Sequence, residues 1–391
     1  MYMSLRTSQS YNTLMSSILP VVEKSLASSL SSISRTDKIA VGMSGGVDSS
    51  VTMLLLKELG LDVFGVFMRN WNELDERGTC LAEYEYQDVI KVCEQIGVPY
   101  YSVDLSQDYQ QKVFQTFLEE IQMGLTPNPD ILCNKEIKFD AFWTVLKKMG
   151  AHRIATGHYA QITQVEDKIY LKKATDLSKD QSYFLGQMPI AMLEKTLFPI
   201  GALLKKQVRE IAHNFGLATM AKKDSTGICF IGERDFKLFV SQYVQSLKGN
   251  FVDLNSGNVL GQHDGSCFYT IGQRKGLGIG GPLGPWFVVA KDSAKNLVYL
   301  SNRELDPALY VRSCMATKLH WFLDPTAHDG NMVSCKVRYR QQDAAARFTL
   351  DHHKIIVEFL TPQRAVTPGQ YIVFYDGDYC LGSAQIVETI Q

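Results

Sequence analysis

The spacing of apolar residues changes character along this chain, and each change marks a different kind of structure. Before about Thr36 the sequence is Ser-rich, with a mild helical pattern of Leu14, Ile18, Val21, Val22, Leu26 and Leu30 interrupted by Pro20. From Lys38 to about Ala221, short apolar runs alternate with runs of helical period. Strands are expected at 38–43, 63–68, 100–103 and 153–157, and helices at 51–57, 84–96, 113–123 and 139–149. That alternation predicts an α/β fold: an open parallel sheet with helices on both faces and ligands at the carboxyl ends of its strands. Met68, Gly157 and the run 42–50 all fall at such ends. After Gly232 the pattern gives one helix, 235–247, and then hairpins at 251–261 and 286–300, separated by a Gly-rich loop at 272–281. Beyond them, strand-like runs at 333–340, 354–360 and 371–387, the last turning at Asp376-Gly377, predict a small β-barrel or sandwich. The expected domains are an N-terminal extension (1–37), a nucleotide-type α/β domain (38–226), a small mixed central domain (227–300) and a C-terminal β-barrel (301–391). No internal repeat or low-complexity linker interrupts them.

Composition narrows the setting. With 391 residues, the chain is too long for one typical core, so two or three domains are expected. Hydrophobic residues at 45% and charged residues at 21% fit a soluble globular protein. No apolar run reaches the roughly 18 residues of a membrane span. The net charge of −1 does not announce a nucleic-acid binder, so any RNA must be held by local basic patches. The eight cysteines are scattered, without C-x-x-C or zinc-ligand spacing, which fits free thiols in a reducing compartment and no protein-bound metal. The leader carries Arg6, Lys24 and Arg35 against the single acid Glu23. It reads either as a plain N-terminal helix or as a mitochondrial transit segment, so a cytoplasmic location is expected with a mitochondrial one as the alternative.

The strongest chemical signal is the turn that follows the first strand. Gly42, Met43, Ser44, Gly45, Gly46, Val47, Asp48, Ser49 and Ser50 lead directly from an apolar strand into an apolar helix. Glycines let the backbone approach a phosphate, and the helix behind the turn aims N–H groups and its positive dipole end at it. Ser44, Ser49 and Ser50 add hydroxyl donors, while Asp48 could orient Mg²⁺ or the pyrophosphate it accompanies. No Lys closes the loop, so this is not the Walker A pattern. A site that holds pyrophosphate as a leaving group suits adenylation. The run resembles the pyrophosphate loop (S-G-G-x-D-S) of the ATP-pyrophosphatase superfamily.

Two cysteines have unusual neighbours. Cys133 follows a loop stiffened by Pro127 and Pro129, just before an expected helix start and near Lys135, features that lower a thiol pKa. Cys229 lies between Gly227 and Gly232, after Lys222 and Lys223. Each alone reads equally as an inert buried thiol. Beside an ATP-activating loop they suggest a division of labour. One carries sulfur as a persulfide, and the other cleaves the S–S bond so that the sulfur attacks an adenylated carbon.

With these motifs the chain resembles the bacterial and organellar tRNA-specific 2-thiouridylases. The likeness extends through 67–71, 126–139, 155–159, 179–185, 223–232, 270–281, 337–341 and 366–370. The resemblance implies ATP-dependent 2-thiolation of the wobble uridine of tRNA. Gly42 to Ser49, Met68 and Gly157 would hold ATP with its Mg²⁺. Asn128, Pro129 and Asp130 would meet the target base, with Asp130 a candidate acid or base. Cys133 would be the nucleophile and Cys229 the persulfide carrier, the two forming a disulfide after turnover. His158, Lys179, Asp180, Gln181, Arg338, Tyr339 and Gln370 would contact tRNA. A cysteine desulfurase or sulfur-carrier relay protein is the implied donor, a monomer the expected state and a membrane no partner. The main departure from the family pattern is the leader before Lys38, and the segment between Gly281 and Trp286 is also short. The rival readings are another pyrophosphate-loop tRNA-modifying or amidating ligase, a nucleotide-sensing module, and an iron–sulfur-dependent thiolase.

Overall fold

A five-stranded parallel sheet organises the first part of the chain. Its strands are β1 (Lys38–Met43), β2 (Asp62–Arg69), β3 (Tyr100–Asp104), β4 (Arg153–Thr156) and β7 (Thr196–Leu197). The computed structural model describes residues 9–30, 34, 36–71, 81–224, 236–280 and 284–390. They fall into two compact units. The first comprises 1–113, 130–232 and 378–380, the second 114–129, 233–377 and 381–391.

In the first unit, β1 pairs in parallel with β2 on one side and β4 on the other, so the strand order reverses at β1. The crevice at such a reversal, outside the carboxyl ends of the strands, is where open α/β sheets bind ligands. Val41, Val66 and Ile154 are fully buried, as strands covered on both faces require. The helix α2 (Val47–Glu58) buries nine of its twelve residues. The helix α3 (Leu81–Ile96) covers β2. An antiparallel hairpin, β5 (Ala160–Val165) with β6 (Lys168–Lys173), follows β4.

The leader is helical: α1 spans Gln9–Leu30 with Pro20 inside it. Tyr11, Met15, Ile18, Val22 and Leu26 are buried in the same cluster as Val51 and Phe215, with the Tyr11 and Phe215 rings 5.6 Å apart. An interior proline costs about 3 kcal/mol. Each buried aliphatic or aromatic side chain returns roughly 1.5–3 kcal/mol, so the apolar stripe outweighs it.

In the second unit, β8 (Gly249–Asp253), β9 (Val259–His263), β10 (Phe287–Asp292) and β11 (Leu297–Ser301) form a sheet of order β10-β11-β8-β9. The two expected hairpins are there. The helix expected over 235–247 is helical only at Phe236–Val240; residue 235 lies outside the described residues. Just beyond it the Ser241 hydroxyl donates to the Leu238 carbonyl at 2.9 Å, the local competition that makes serine a poor helix former.

Of barrel and sandwich, the structure shows a barrel. Strands β12 (Tyr310–Trp321), β13 (Met332–Lys336), β14 (Ala344–Asp351), β15 (Lys354–Arg364), β16 (Tyr371–Asp376) and β17 (Tyr379–Ile390) run in the order β12-β15-β14-β13-β16-β17, and β17 pairs back onto β12. Closure leaves no unpaired edge. Phe348, Phe374, Val357, Ile372 and Ile386 fill its core.

Candidate functional site

The turn between β1 and α2 is built from its own hydroxyls. Ser44 N and Ser44 Oγ each lie 3.2 Å from Ser49 Oγ, and Gly46 N donates to Ser44 Oγ at 3.3 Å. Ser49 Oγ and Ser50 Oγ donate back to the Gly46 carbonyl at 3.2 and 2.8 Å. Thr219 Oγ1 donates to Ser50 Oγ at 2.9 Å, tying the turn to a distant segment. Gly45 has φ +70°, and a Cβ there would stand 2.6 Å from the Glu85 carbonyl oxygen. Only glycine satisfies both demands. Across the sheet reversal, a Cβ at Gly157 would lie 2.8 Å from Ser49 N and 2.9 Å from the Asp48 carbonyl carbon. The end of β4 thus packs directly on the backbone of the turn. Met68 sits at the carboxyl end of β2, paired with Val103.

Asp48, in the first turn of α2, is the hub of a charged cluster. Tyr159 Oη donates to Asp48 Oδ1 at 2.9 Å. Lys205 Nζ donates to both carboxylate oxygens, at 2.7 and 2.9 Å. Lys205 opens the helix α4 (Lys205–Phe215) and is mostly buried, its ammonium 5.6 Å from the Tyr159 ring centroid. The same ammonium lies 2.8 Å from Asp224 Oδ1. Lys179 Nζ donates to Asp224 Oδ2 at 2.9 Å, and the Arg209 guanidinium donates to Oδ1. Lys222 Nζ donates to the Gly45 carbonyl and to Asp88 Oδ2, both at 3.0 Å. Burial alone would raise the Asp224 pKa, but its bonds to Lys205, Lys179 and Arg209 hold the carboxyl well below the usual range. Burial and the Asp48 charge both push the Tyr159 phenol upward, so it stays a donor.

His158, next to Gly157, is buried. Its Nδ1 lies 2.8 Å from Thr156 Oγ1, and the ring packs between Phe139 and Phe198. Desolvation first, and the Lys138 charge second, hold it neutral with a pKa well below that of free histidine. All three residues of the run Lys179-Asp180-Gln181 are bonded inside the unit, Lys179 to Asp224. Asp180 accepts from Ala174 N, Ser182 N and Ser182 Oγ, and Gln181 Oε1 accepts from Tyr159 N at 2.9 Å.

Cys133 corrects one expectation. It does not precede a helix start; the helix begins at Pro129–Leu132 and continues as a wide turn over Cys133–Phe142 and then Trp143–Lys148. Proline suits the first helical position, and Asp130 in that first turn meets the positive dipole end. Cys133 is fully buried, and the Lys135 ammonium is 3.3 Å from Glu136. Wide π-type turns are frequent at functional positions. Cys229 lies outside the described residues. Burial pushes Cys93 and Cys314 up to about 12, and Cys335 higher still, so those three thiols are inert.

In the second unit the segment before Pro129 is clamped. Gln370 Nε2 donates to the Thr126 and Pro127 carbonyls at 2.9 and 3.2 Å, and Asn128 Nδ2 donates to Gln370 Oε1 at 3.2 Å. Gly369, at φ +94°, would place a Cβ 2.7 Å from Thr126 N. Arg338 lies past the end of β13 at Lys336, although the run 333–340 reads as a strand. Its guanidinium donates to the Ile271 carbonyl at 2.7 Å and to Thr367 Oγ1 at 3.0 Å. Tyr339 has the Arg340 guanidinium 5.5 Å from its ring centroid.

The structure therefore gathers the turn, Gly157, Tyr159 and a cationic arc of Lys179, Lys205, Arg209 and Lys222. Sequence reasoning gave the turn, Gly157 and Lys179 roles, but gave none to Tyr159, Lys205, Arg209 or Lys222. Lys222 and Asp224 stood in view within the Cys229 segment. Lys205 and Arg209 carried no local signal.

A parallel sheet reversing beside a hydroxyl-rich turn at a helix N-terminus defines a nucleotide-binding α/β domain. The profile described as the tRNA methyl transferase HUP domain matches residues 37–233, with its PRC-barrel domain at 237–302 and an aminomethyltransferase beta-barrel domain at 311–386. The chain is 51% identical over 353 residues to tRNA-specific 2-thiouridylase MnmA of Bacillus subtilis (strain 168), covering 89% of this chain and 94% of that one. It is 49% identical over 365 residues to the protein of the same name from Alkaliphilus oremlandii (strain OhILAs), covering 93% of this chain and 100% of that one. The chain belongs to the tRNA-specific 2-thiouridylase family.

Proposed function

We propose that this protein is a tRNA-uridine 2-sulfurtransferase that uses ATP to exchange the O2 oxygen of the wobble uridine for sulfur. The observation that carries the reading is the turn itself: hydroxyls and glycines at the N-terminus of α2, with Gly157 close enough to exclude any side chain. Such a cradle suits a polyphosphate. The matching profile's description speaks of methyl transfer, but transfer from a sulfonium donor needs no phosphate cradle, whereas adenylation does. The relatives' names supply tRNA and thiolation.

The uridine O2 attacks the α-phosphorus of Mg·ATP held along Gly42, Met43, Ser44, Gly45, Gly46, Val47, Asp48 and Ser49, and pyrophosphate leaves toward the turn. A partner desulfurase or sulfur carrier has loaded Cys229 as a persulfide. Its terminal sulfur attacks C2, Cys133 takes the remaining Cys229 sulfur as a disulfide, and AMP departs. An external thiol reductant then restores both cysteines. Asn128 and Asp130 orient the extruded base, whose removal from the stack costs a few kcal/mol. Arg338, Tyr339 and Gln370 would serve the tRNA from the second unit.

The test is nucleoside analysis of tRNA incubated with the purified protein, Mg·ATP and a persulfide donor. The reading expects 2-thiouridine with AMP and pyrophosphate in equal amounts, and neither Cys133→Ser nor Cys229→Ser forming product. Full product formation by both variants would overturn it in favour of a cysteine-independent ligase.

A further inference from the structure

Three cations converge on one carboxylate beside the phosphate turn. Lys179, Lys205 and Arg209 all bond Asp224, and Lys205 simultaneously holds both oxygens of Asp48. An ionised carboxylate has room for several donors, and those on Asp224 are all cationic. Three cations side by side repel one another unless a strong anion sits among them. Lys179, Lys205 and Arg209 face Asp48, Asp224 and Asp176, the last accepting from Lys205 N at 2.9 Å, so the charges balance only while Asp224 holds the place among the cations. The arc opens at the N-terminus of α2, where the backbone also favours an anion. Its members remain partly accessible: the side chains of Lys179, Arg209 and Asp224 are 32%, 31% and 33% exposed. The cluster is therefore exchangeable by a ligand, unlike a sealed ion pair.

We infer that Asp224 is an internal stand-in for phosphate: it occupies the Lys179–Lys205–Arg209 arc until the pyrophosphate portion of ATP displaces it. The inference rests on the turn being the seat of that pyrophosphate. It assigns to the arc what the turn lacks, the cation that Walker A loops supply with their own Lys. Lys205 becomes the bridge between the turn and the leaving group, because its ammonium already reaches Asp48 at the start of α2. Lys179 then acts on the nucleotide rather than on tRNA. Binding ATP is an exchange of anions, so its apparent affinity is reduced by competition from Asp224.

Binding of Mg·pyrophosphate and of Mg·ATP to the full chain, measured by titration calorimetry without tRNA or sulfur donor, tests this. Asp224→Asn removes the competitor and is expected to tighten both ligands by about tenfold. Lys205→Met is expected to weaken both by roughly ten- to a hundredfold, as for loss of a charge-assisted contact. Adding Asp224→Asn to Lys205→Met should recover less than the full gain, because the two residues share one site. In the wild-type protein, pyrophosphate should speed amide exchange over residues 218–224 as Asp224 is released. That reading needs no variant to fold. Unchanged or weaker binding by a thermally intact Asp224→Asn would overturn the inference, and so would slower or unchanged exchange over 218–224. A protein that binds pyrophosphate as expected yet forms no thiouridine would sink the proposed function and leave this inference standing.

Discussion

Two polar clusters hold functional loops in this protein, and they are made of different materials. In the first unit the turn after β1 is surrounded by ions: Asp48, Lys205, Asp224, Lys179 and Arg209. In the second, Thr126 to Asn128 are held by one neutral side chain, Gln370, bonding two backbone carbonyls and one amide. Ionic partners can be traded for a substrate anion with little net loss, because the incoming phosphate replaces what is released. Amide-to-carbonyl bonds have no such substitute and simply fix the chain. Each is worth about 1 kcal/mol net, and more when its loss strands a buried carbonyl. The first cluster is built for exchange and the second for permanence.

The sharpest way to break this contrast is at Gly157. A Cβ there meets backbone atoms of Asp48 and Ser49 rather than the far end of a flexible side chain, so the turn itself must shift. Gly157→Ala should lower tRNA-stimulated pyrophosphate release by about a hundredfold or more, since misplacements near 1 Å cost that much. Near-normal release would show that the turn is not where the leaving group sits. At the other cluster, Gln370→Ala removes three hydrogen bonds. Urea unfolding should report a stability lower by about 2–3 kcal/mol. Gln370→Glu keeps the acceptor for Asn128 but sets a carboxylate oxygen against the Thr126 and Pro127 carbonyls, so it should be no more stable than Ala. Equal stabilities for all three would mean that the clamp is idle.

The contrast also explains what could be read from the chain. The parallel sheet and its turn were legible because strand period, glycine and hydroxyls are local, and the bonds the turn makes within itself span at most five residues. The arc was not. Lys205 reaches Asp48 across 157 positions, and Thr219 reaches Ser50 across 169. A lysine pair at the head of a polar helix has no signature that distinguishes it from solvated charge. The strands β5, β6, β7, β12 and β14 were also missed; β7 is only two residues long, and β14 opens Ala344-Ala345-Ala346, residues with little strand preference. The barrel itself is legible from its short, turn-punctuated strands, but the pairing of β17 with β12 that closes it is a long-range fact with no local signature. Cys133 was placed outside the helix because its first turn starts at Pro129, and a proline read as a loop signal is equally a first helical residue.

The smallest expected effect separates burial from ion pairing within the first unit. His158 is neutral when folded because desolvation, reinforced by Lys138, depresses its pKa well below 6.5. The unfolded chain takes up a proton near pH 6.5, and the folded one does not until the pH is far lower. Below pH 6.5 the unfolded state therefore binds more protons, and stability falls as acid is added, at a limit of about 1.4 kcal/mol per pH unit for this one group. Asp224 runs on a different window. Its depressed pKa contributes stability above the ordinary carboxylate value and loses it only as pH drops through its own lower value. Between pH 7 and 5 the two separate cleanly. His158→Gln should flatten the slope of unfolding free energy there, while Asp224→Asn should leave that slope unchanged. A flattened slope in Asp224→Asn instead would mean that the cluster titrates near neutrality, and the ionic exchange attributed to it would then depend on proton uptake.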